Sequence, residues 1–333
     1  MNTILIITVL IVVCALAFDF INGFHDTANA IATAVSTKAL KPRHAIIMAA
    51  IMNFIGAMTF TGVAKAITKD IVNPFNLDNG SLVILAALIA AIFWNLLTWY
   101  FGIPSSSSHA IIGSIAGAAI ASSGFSALNY NGFTKIIEAL ILSPIIAFVI
   151  GYLVYTIFKL IFKDLNLTKT NRRFRIFQIF TAALQAYTHG TNDAQKAMGI
   201  ITMALMANGY VSQNAGIPFW VQFSCAAAMG LGTSVGGWKI IKTVGGNIMK
   251  IRPVNGVAAD ITGSMIIFGA TFIHLPVSTT HVISSSILGV GASHRLKGVK
   301  WGTAQRMLIT WVITLPISAA CAAICYYILN FFF

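Results

Sequence analysis

Charge is what this chain has least of. Only 9% of its residues are charged while 57% are hydrophobic, whereas a soluble domain carries about 25% charged residues. So few charges leave a water-exposed surface poorly covered. Acids are scarcest, with 8 Asp and Glu against 21 Lys and Arg. A net charge of +13 would suggest a nucleic-acid partner if the bases shared a soluble face. They sit between apolar runs instead, so they report membrane topology and no nucleic acid is expected. Cysteine is confined to Cys14, Cys225, Cys321 and Cys325, all within apolar segments. None forms a Cys-x-x-Cys spacing or has His nearby, so packing is expected and not redox or metal chemistry. His25, His109 and His281 lie far apart without zinc-ligand spacing. No metal and no cofactor are expected.

What is abundant is long apolar sequence. Residues 1–18, 45–63, 82–101, 139–158 and 307–333 approach or exceed the ~20 residues that cross a bilayer. Helices satisfy their own backbone in lipid, and the runs do not alternate as barrel strands do. The expected fold is therefore an all-α polytopic membrane protein with the lipid bilayer as its surroundings. The first run lacks a basic leader and passes directly into a polar motif, which reads as a retained helix. Ten segments are expected, near 3–22, 43–63, 82–101, 109–123, 136–158, 174–205, 217–238, 257–275, 281–293 and 305–330. The short fourth and ninth read as half-helices or re-entrant pieces, and the first and sixth as helices that break at polar motifs.

The loops divide by charge. Lys38, Lys41 and Arg43, then Lys159 to Arg175, then Lys239 to Arg252, then Arg295 to Arg306 place 17 of the 21 Lys and Arg on one side. Lys65, Lys69 and Lys135 fall on the other. The positive-inside rule makes the crowded side cytoplasmic and both termini extracellular, in a multi-pass protein of the cell membrane.

The chain also repeats itself. Gly23-Phe24-His25-Asp26-Thr27-Ala28-Asn29-Ala30 returns as Gly190-Thr191-Asn192-Asp193-Ala194-Gln195-Lys196-Ala197, at an offset of 167. Pro104-Ser105-Ser106-Ser107-Ser108-His109 returns as Pro276-Val277-Ser278-Thr279-Thr280-His281, at an offset of 172, each followed by a Gly (Gly117, Gly289). Gly56, Gly62 and Lys65 return as Gly230, Gly236 and Lys239. Residues 1–165 and 166–333 are thus two membrane repeats. Five crossings each would invert the second, a plan of secondary transporters with the site at the midplane.

Charge inside the membrane costs ~2.5–3.5 kcal/mol on the lenient scale, so Asp19, Asp26, Asp193 and Asp260 need a reason. Asp26 and Asp193 are equivalent in the two repeats. A carboxylate in such a place ligates a cation, takes a proton or accepts a hydrogen bond from a protonated substrate. Each Pro-Ser/Thr run ahead of an apolar helix is a helix start, which offers free N–H groups to an anion. Two of them, opposed, would grip a tetrahedral oxyanion through Ser106, Ser107, Ser278 and Thr279, with Ser108 and Thr280 next. Lys196 either pairs with Asp193 or neutralises a bound dianion. His25 stands where the second copy has Asn192 and is a hydrogen-bond partner or a titrating group.

These motifs resemble those of the PiT family of inorganic phosphate transporters. That family carries a Gly-x-Asn-Asp-x-Ala-Asn-Ala type signature in both halves and a Pro-x-Ser-Thr-Thr-His type loop after each. The resemblance implies that Asp26, Asn29, Asn192 and Asp193 line the phosphate and coupling-ion sites, and that the hydroxyls after Pro104 and Pro276 hold phosphate oxygens. The first copy departs at His25, and the second at Gln195 and Lys196. This combination is similar to the bacterial, low-affinity, proton-linked branch, which is associated with metal-phosphate complexes. An ammonium at Lys196 opposes Na⁺ there electrostatically. Asp19, His25, Asp26, Asp193 and Gln195 are the candidate coupling-ion groups.

The expected function is phosphate import by cation symport, with protons favoured over sodium, and no enzymatic step. A sulfate or other tetrahedral-oxyanion symporter would use the same donors. A passive channel is a further reading. A membrane-embedded hydrolase rests on Gly232-Thr233-Ser234-Val235-Gly236, which lacks the preceding strand of a nucleophile elbow. A homodimer is compatible with the sequence and not required by it.

Overall fold

A computed structural model describes residues 3–72, 77, 79–163, 167–212 and 214–332. The expected boundary between residues 165 and 166, and the side chains of Lys69 and Lys169, lie outside the described residues. Twelve α-helices are present among those described: α1 (Thr3–Ser36), α2 (Pro42–Ala57), α3 (Gly62–Asp70), α4 (Gly80–Phe101), α5 (Ser107–Ser123), α6 (Tyr130–Ile161), α7 (Leu167–Ala207), α8 (Phe219–Val235), α9 (Trp238–Gly246), α10 (Pro253–Phe272), α11 (Thr279–His294) and α12 (Trp301–Phe332). The second six repeat the first six in order. Five of them, α1, α4, α6, α10 and α12, are long and apolar enough to span a membrane, as is the bent pair of α2 and α3 taken together.

Two expectations about breaks are corrected. Neither α1 nor α7 breaks at its polar motif. Both run straight through, over 34 and 41 residues, or roughly 51 and 62 Å at 1.5 Å per residue. The motif holds no proline, and its side chains find partners on other helices, so nothing forces the backbone open. The breaks fall instead in the segments taken as continuous, 43–63 and 217–238. Helices α2 and α3 meet at a bend of 67°. The equivalent bend between α8 and α9 is made by Gly236 at φ +75°, a left-handed conformation that suits glycine. The recurring Gly56/Gly62 and Gly230/Gly236 spacing marks these two joints.

Hydrogen bonds place the loops on two faces. Ser36 donates to the Gly245 carbonyl, Thr37 to Gln178 at 2.6 Å, and the Lys300 amide to Ile248 at 2.9 Å. These contacts gather the basic connections on one face. On the other, Asn208 donates to Thr8 and accepts from Ser81, both at 2.9 Å, while Asn79 donates to Asn330 at 3.2 Å. Helix α1 therefore starts, and α12 ends, on the face opposite the basic loops. Each hairpin, α4–α5 or α10–α11, starts and ends on one face and turns back inside the molecule. Its short arm is the expected half-helix. A crossing pair and a re-entrant hairpin have the same parity, so the charge split survives either way.

The repeats interlock. Half-helix α5 packs on α12, and α11 packs on α6, each on the last helix of the other repeat. The approach is backbone to backbone. A Cβ on Gly117 would strike the Ala319 carbonyl, and one on Gly289 the Phe148 carbonyl. Small residues permit this in lipid, where close packing and not water exclusion holds helices together.

Candidate functional site

The two hairpin tips meet at the centre. The rings of His109 and His281 lie 4.4 Å apart, and His281 stacks on Trp311 at 4.0 Å. Ser108 donates across the seam to the Val277 carbonyl at 2.9 Å. Each half-helix is capped alike: Ser106 accepts from the His109 amide at 3.0 Å and Ser278 from the His281 amide at 3.2 Å. These two hydroxyls are thus spent on capping, and the following ones carry the chemistry.

Those hydroxyls point at the paired carboxylates. Ser107 donates to Asp26 Oδ2 at 2.5 Å, and Thr279 to Asp193 Oδ2 at 2.9 Å. Thr280 crosses between repeats to Asp26 Oδ1 at 3.1 Å and receives the Asn29 amide at 2.9 Å. Asp26, Asn29, Ser107, Ser108, Asn192, Asp193, Lys196, Thr279 and Thr280 are all buried, at 0–1% exposure. The structure therefore brings the predicted residues of both repeats into one closed cluster.

The two halves of the cluster differ. His25 Nδ1 lies 2.6 Å from Asp26 Oδ1, and its Nε2 lies 3.1 Å from the Thr98 hydroxyl. In the second repeat Asn192 donates to Thr271 at 3.1 Å and to the Leu275 carbonyl at 3.2 Å. The Ile103 amide bonds the Thr98 carbonyl as the Leu275 amide bonds that of Ala270, so Thr271 lies one position beyond the counterpart of Thr98, yet His25 and Asn192 each tie their long helix to a threonine of their own hairpin. Lys196 is fully buried and hydrogen-bonded to Asp193, which also lies 3.2 Å from His189. Gln195 donates to the Thr191 carbonyl and accepts from the Ala64 amide at 3.1 Å, so both its polar ends hold backbone.

Asp19 stands apart. It is fully buried, and neither of its oxygens has a hydrogen-bond partner among the described residues. It lies within electrostatic reach of Asp193 and Lys196. Asn22, one turn along α1, and Asn95 on α4 are likewise buried with both amide atoms unpartnered. Asp260 belongs to a separate cluster nearer the basic face, accepting from Thr33 at 2.6 Å and Thr181 at 3.0 Å.

Sequence reasoning missed Asn22, Asn53, Asn95, Thr98, His189 and Thr271. His189 was available as the residue one turn before Asp193 on the same helix, whereas Thr98 aligns with Ala270 and not with Thr271, so repeat comparison does not pair the two threonines. Asn53, which donates to Thr27 and accepts from His189, has no distinguishing sequence signal. No group of three or more His, Cys, Asp or Glu that could hold a metal ion occurs among the described residues. Ser234 lies in the last turn of helix α8 and donates to the Leu231 carbonyl, so it is no nucleophile on a strand-to-helix elbow.

The sequence profile of the phosphate transporter family matches this chain twice, over residues 22–171 and again over 163–322. The chain belongs to that family. It is 80% identical over its whole length to a "probable low-affinity inorganic phosphate transporter" of Bacillus subtilis (strain 168), all of which is covered. It is 44% identical to a protein of the same description from Rhizobium meliloti (strain 1021), over 95% of each chain. Among solved structures, "the sodium-dependent phosphate transporter" superposes with a TM-score of 0.85 over 98% of this chain and 100% of its own, at 24% identity. That likeness establishes the fold. The family is one of transporters and not of enzymes.

Proposed function

We propose that this protein imports inorganic phosphate by cation symport, with protons as the coupling ion in preference to sodium. The reading rests on one observation: the hydroxyls at the two half-helix starts are already bonded to carboxylates. Ser107 and Thr280 hold Asp26, and Thr279 holds Asp193. In this state the carboxylates take the place an anion would fill. A phosphate entering between the tips takes over those hydroxyls and adds the free N–H groups of both helix starts.

Charge then dictates coupling. With all three carboxylates ionised, Asp19, Asp26 and Asp193 exceed the one permanent cation among them, Lys196, by two charges, and the only other basic groups against them among the described residues are the imidazoles of His25 and His189. Adding an anion to that excess in a low-dielectric interior is prohibitive unless cations or protons arrive with it. A protonated Asp26 or Asp193 donates a hydrogen bond to phosphate where the ionised form repels it. His25 against Asp26 gives a short path for that proton. Asp19 supplies a second place for a proton or cation, since a buried bare carboxylate is otherwise costly. Lys196 balances phosphate charge and disfavours Na⁺ at the second motif. Asn29, Asn192 and Ser108 keep the hairpin tips in register, and Ser106 and Ser278 keep the helix starts formed. The basic face is cytoplasmic, and both termini are extracellular.

The same geometry favours phosphate over sulfate. When one of Asp26 and Asp193 is protonated and donates, the other still accepts, and at neutral pH phosphate retains a hydrogen to give it while sulfate does not. Labelled phosphate uptake into proteoliposomes, with sulfate as competitor, tests this. Sulfate in large excess should inhibit weakly. Equal competition by sulfate would overturn the assignment of the substrate.

A further inference from the structure

On the basic face a cavity of about 710 Å³ opens between the α4–α5 turn, the end of α9 and the first turns of α12. Its volume is that of a small-molecule site. Phe101, Gly102, Ile103 and Pro104 form the floor. Lys300 and Arg306 stand in the wall with Thr303 and Asn247, and no carboxylate lines it among the described residues. None of the ion pairs among the described residues engages Lys300 or Arg306.

The cavity is placed by the hairpin. Gly102 takes a left-handed φ of +65°, which turns the chain back into the molecule. Thr243 donates to the Gly102 carbonyl at 3.1 Å, and Trp311 donates to the Pro104 carbonyl at 3.3 Å. Ser106, the cap of half-helix α5, is two residues beyond Pro104. Pro104 thus lines the cavity, while Ser107, three residues on, bonds Asp26 in the buried cluster.

We infer that this cavity is a second, weaker binding station for the transported oxyanion, where phosphate waits on the basic face before entering or after leaving the buried cluster. The inference rests on the proposed function. An arginine fork and a lysine ammonium bind tetrahedral oxyanions. A positive cleft raises the local concentration of its anion, an effect that salt screens. Lys300 and Arg306 are exposed, so the station acts on capture and release and not on the closed state. Its consequence is one-sided: it lowers the phosphate concentration needed for transport from the basic face alone.

The test is labelled phosphate uptake in everted and right-side-out membrane vesicles, with and without the double change Lys300→Gln and Arg306→Gln. The expected result is a KM raised about three- to tenfold for phosphate presented at the basic face, and unchanged at the opposite face. The charge-retaining pair Lys300→Arg and Arg306→Lys should keep the wild-type KM. In the unaltered protein, raising ionic strength should raise KM at the basic face more than at the other. An unchanged KM, an equal rise at both faces, or the same rise in the charge-retaining pair would overturn the station. Absence of phosphate uptake by the unaltered protein would overturn the proposed function itself.

Discussion

The Ser107 hydroxyl donates to Asp26 across 2.5 Å, joining the start of half-helix α5 to the middle of α1. Thr279 and Asp193 repeat this contact in the second half at 2.9 Å. Each hydroxyl sits where helix N–H groups favour an anion, and in the closed state that anion is the protein's own carboxylate. Under the proposed mechanism, substrate binding and carboxylate neutralisation are one event: phosphate is admitted when protons arrive with it, and the site recloses on its own side chains when both have left.

Asp26→Asn and Asp193→Asn each remove a carboxylate to which the proposed mechanism assigns the coupling step. Both variants should insert in the membrane and lose concentrative uptake. Phosphate exchange across the membrane, read by counterflow, should outlast net accumulation in Asp26→Asn, because an amide resembles the protonated acid. Wild-type accumulation in both variants would remove the carboxylates from the coupling step.

The hydroxyls divide into two kinds. Ser107→Ala and Thr279→Ala should weaken phosphate uptake at least tenfold, since each loses a charge-assisted hydrogen bond of about 1.5–3 kcal/mol. Ser106→Ala and Ser278→Ala lose caps of about 0.5–2 kcal/mol. Their first effect should be a lower melting temperature in detergent. A loss of uptake from the cap variants at unaltered melting would reverse these roles.

Lys196 is among the largest fully buried side chains and is paired with Asp193. Lys196→Met leaves a buried carboxylate without its cation, which costs about 3–5 kcal/mol when one partner of such a pair is removed. Thermal unfolding in detergent should show the variant strongly destabilised, and the added change Asp193→Asn should recover much of the loss. A single variant as stable as the parent would mean that Asp193 is neutral there already.

Gly117→Ala and Gly289→Ala test the interlock. Each added methyl group meets a carbonyl of the other repeat's last helix, so no rotamer change relieves it. Folded protein should be lost or sharply reduced on size-exclusion chromatography. Gly124→Ala meets no neighbour but changes a glycine-only conformation at φ 74°, ψ −174°, and should yield folded protein destabilised by about 1–3 kcal/mol.

Much of this was legible in the sequence because duplication wrote it twice. The paired Asp motifs, the paired Pro-Ser/Thr runs and the paired glycines each named a real contact, and Gly117 and Gly289 turned out to be where the repeats touch. Helix continuity was not legible. The polar stretch from Gly23 to Ala30 looks like a break because its side chains want partners, and those partners, such as Thr280 for Asn29, lie about 250 residues away. The bends were hidden for the opposite reason: apolar sequence runs through them, and at the α8–α9 joint the turn rests on Gly236 alone. Division of labour among adjacent serines was also hidden. Only the geometry of the helix start shows that Ser106 caps the helix while Ser107 faces Asp26.

The most direct test of the central claim is accumulation of labelled phosphate in proteoliposomes under imposed gradients. With acid outside and no sodium present, phosphate should accumulate above its equilibrium level, and a protonophore should abolish that accumulation. A sodium gradient at equal pH should drive little. Accumulation driven by sodium alone, or uptake indifferent to both gradients, would contradict the coupling of phosphate to carboxylate protonation.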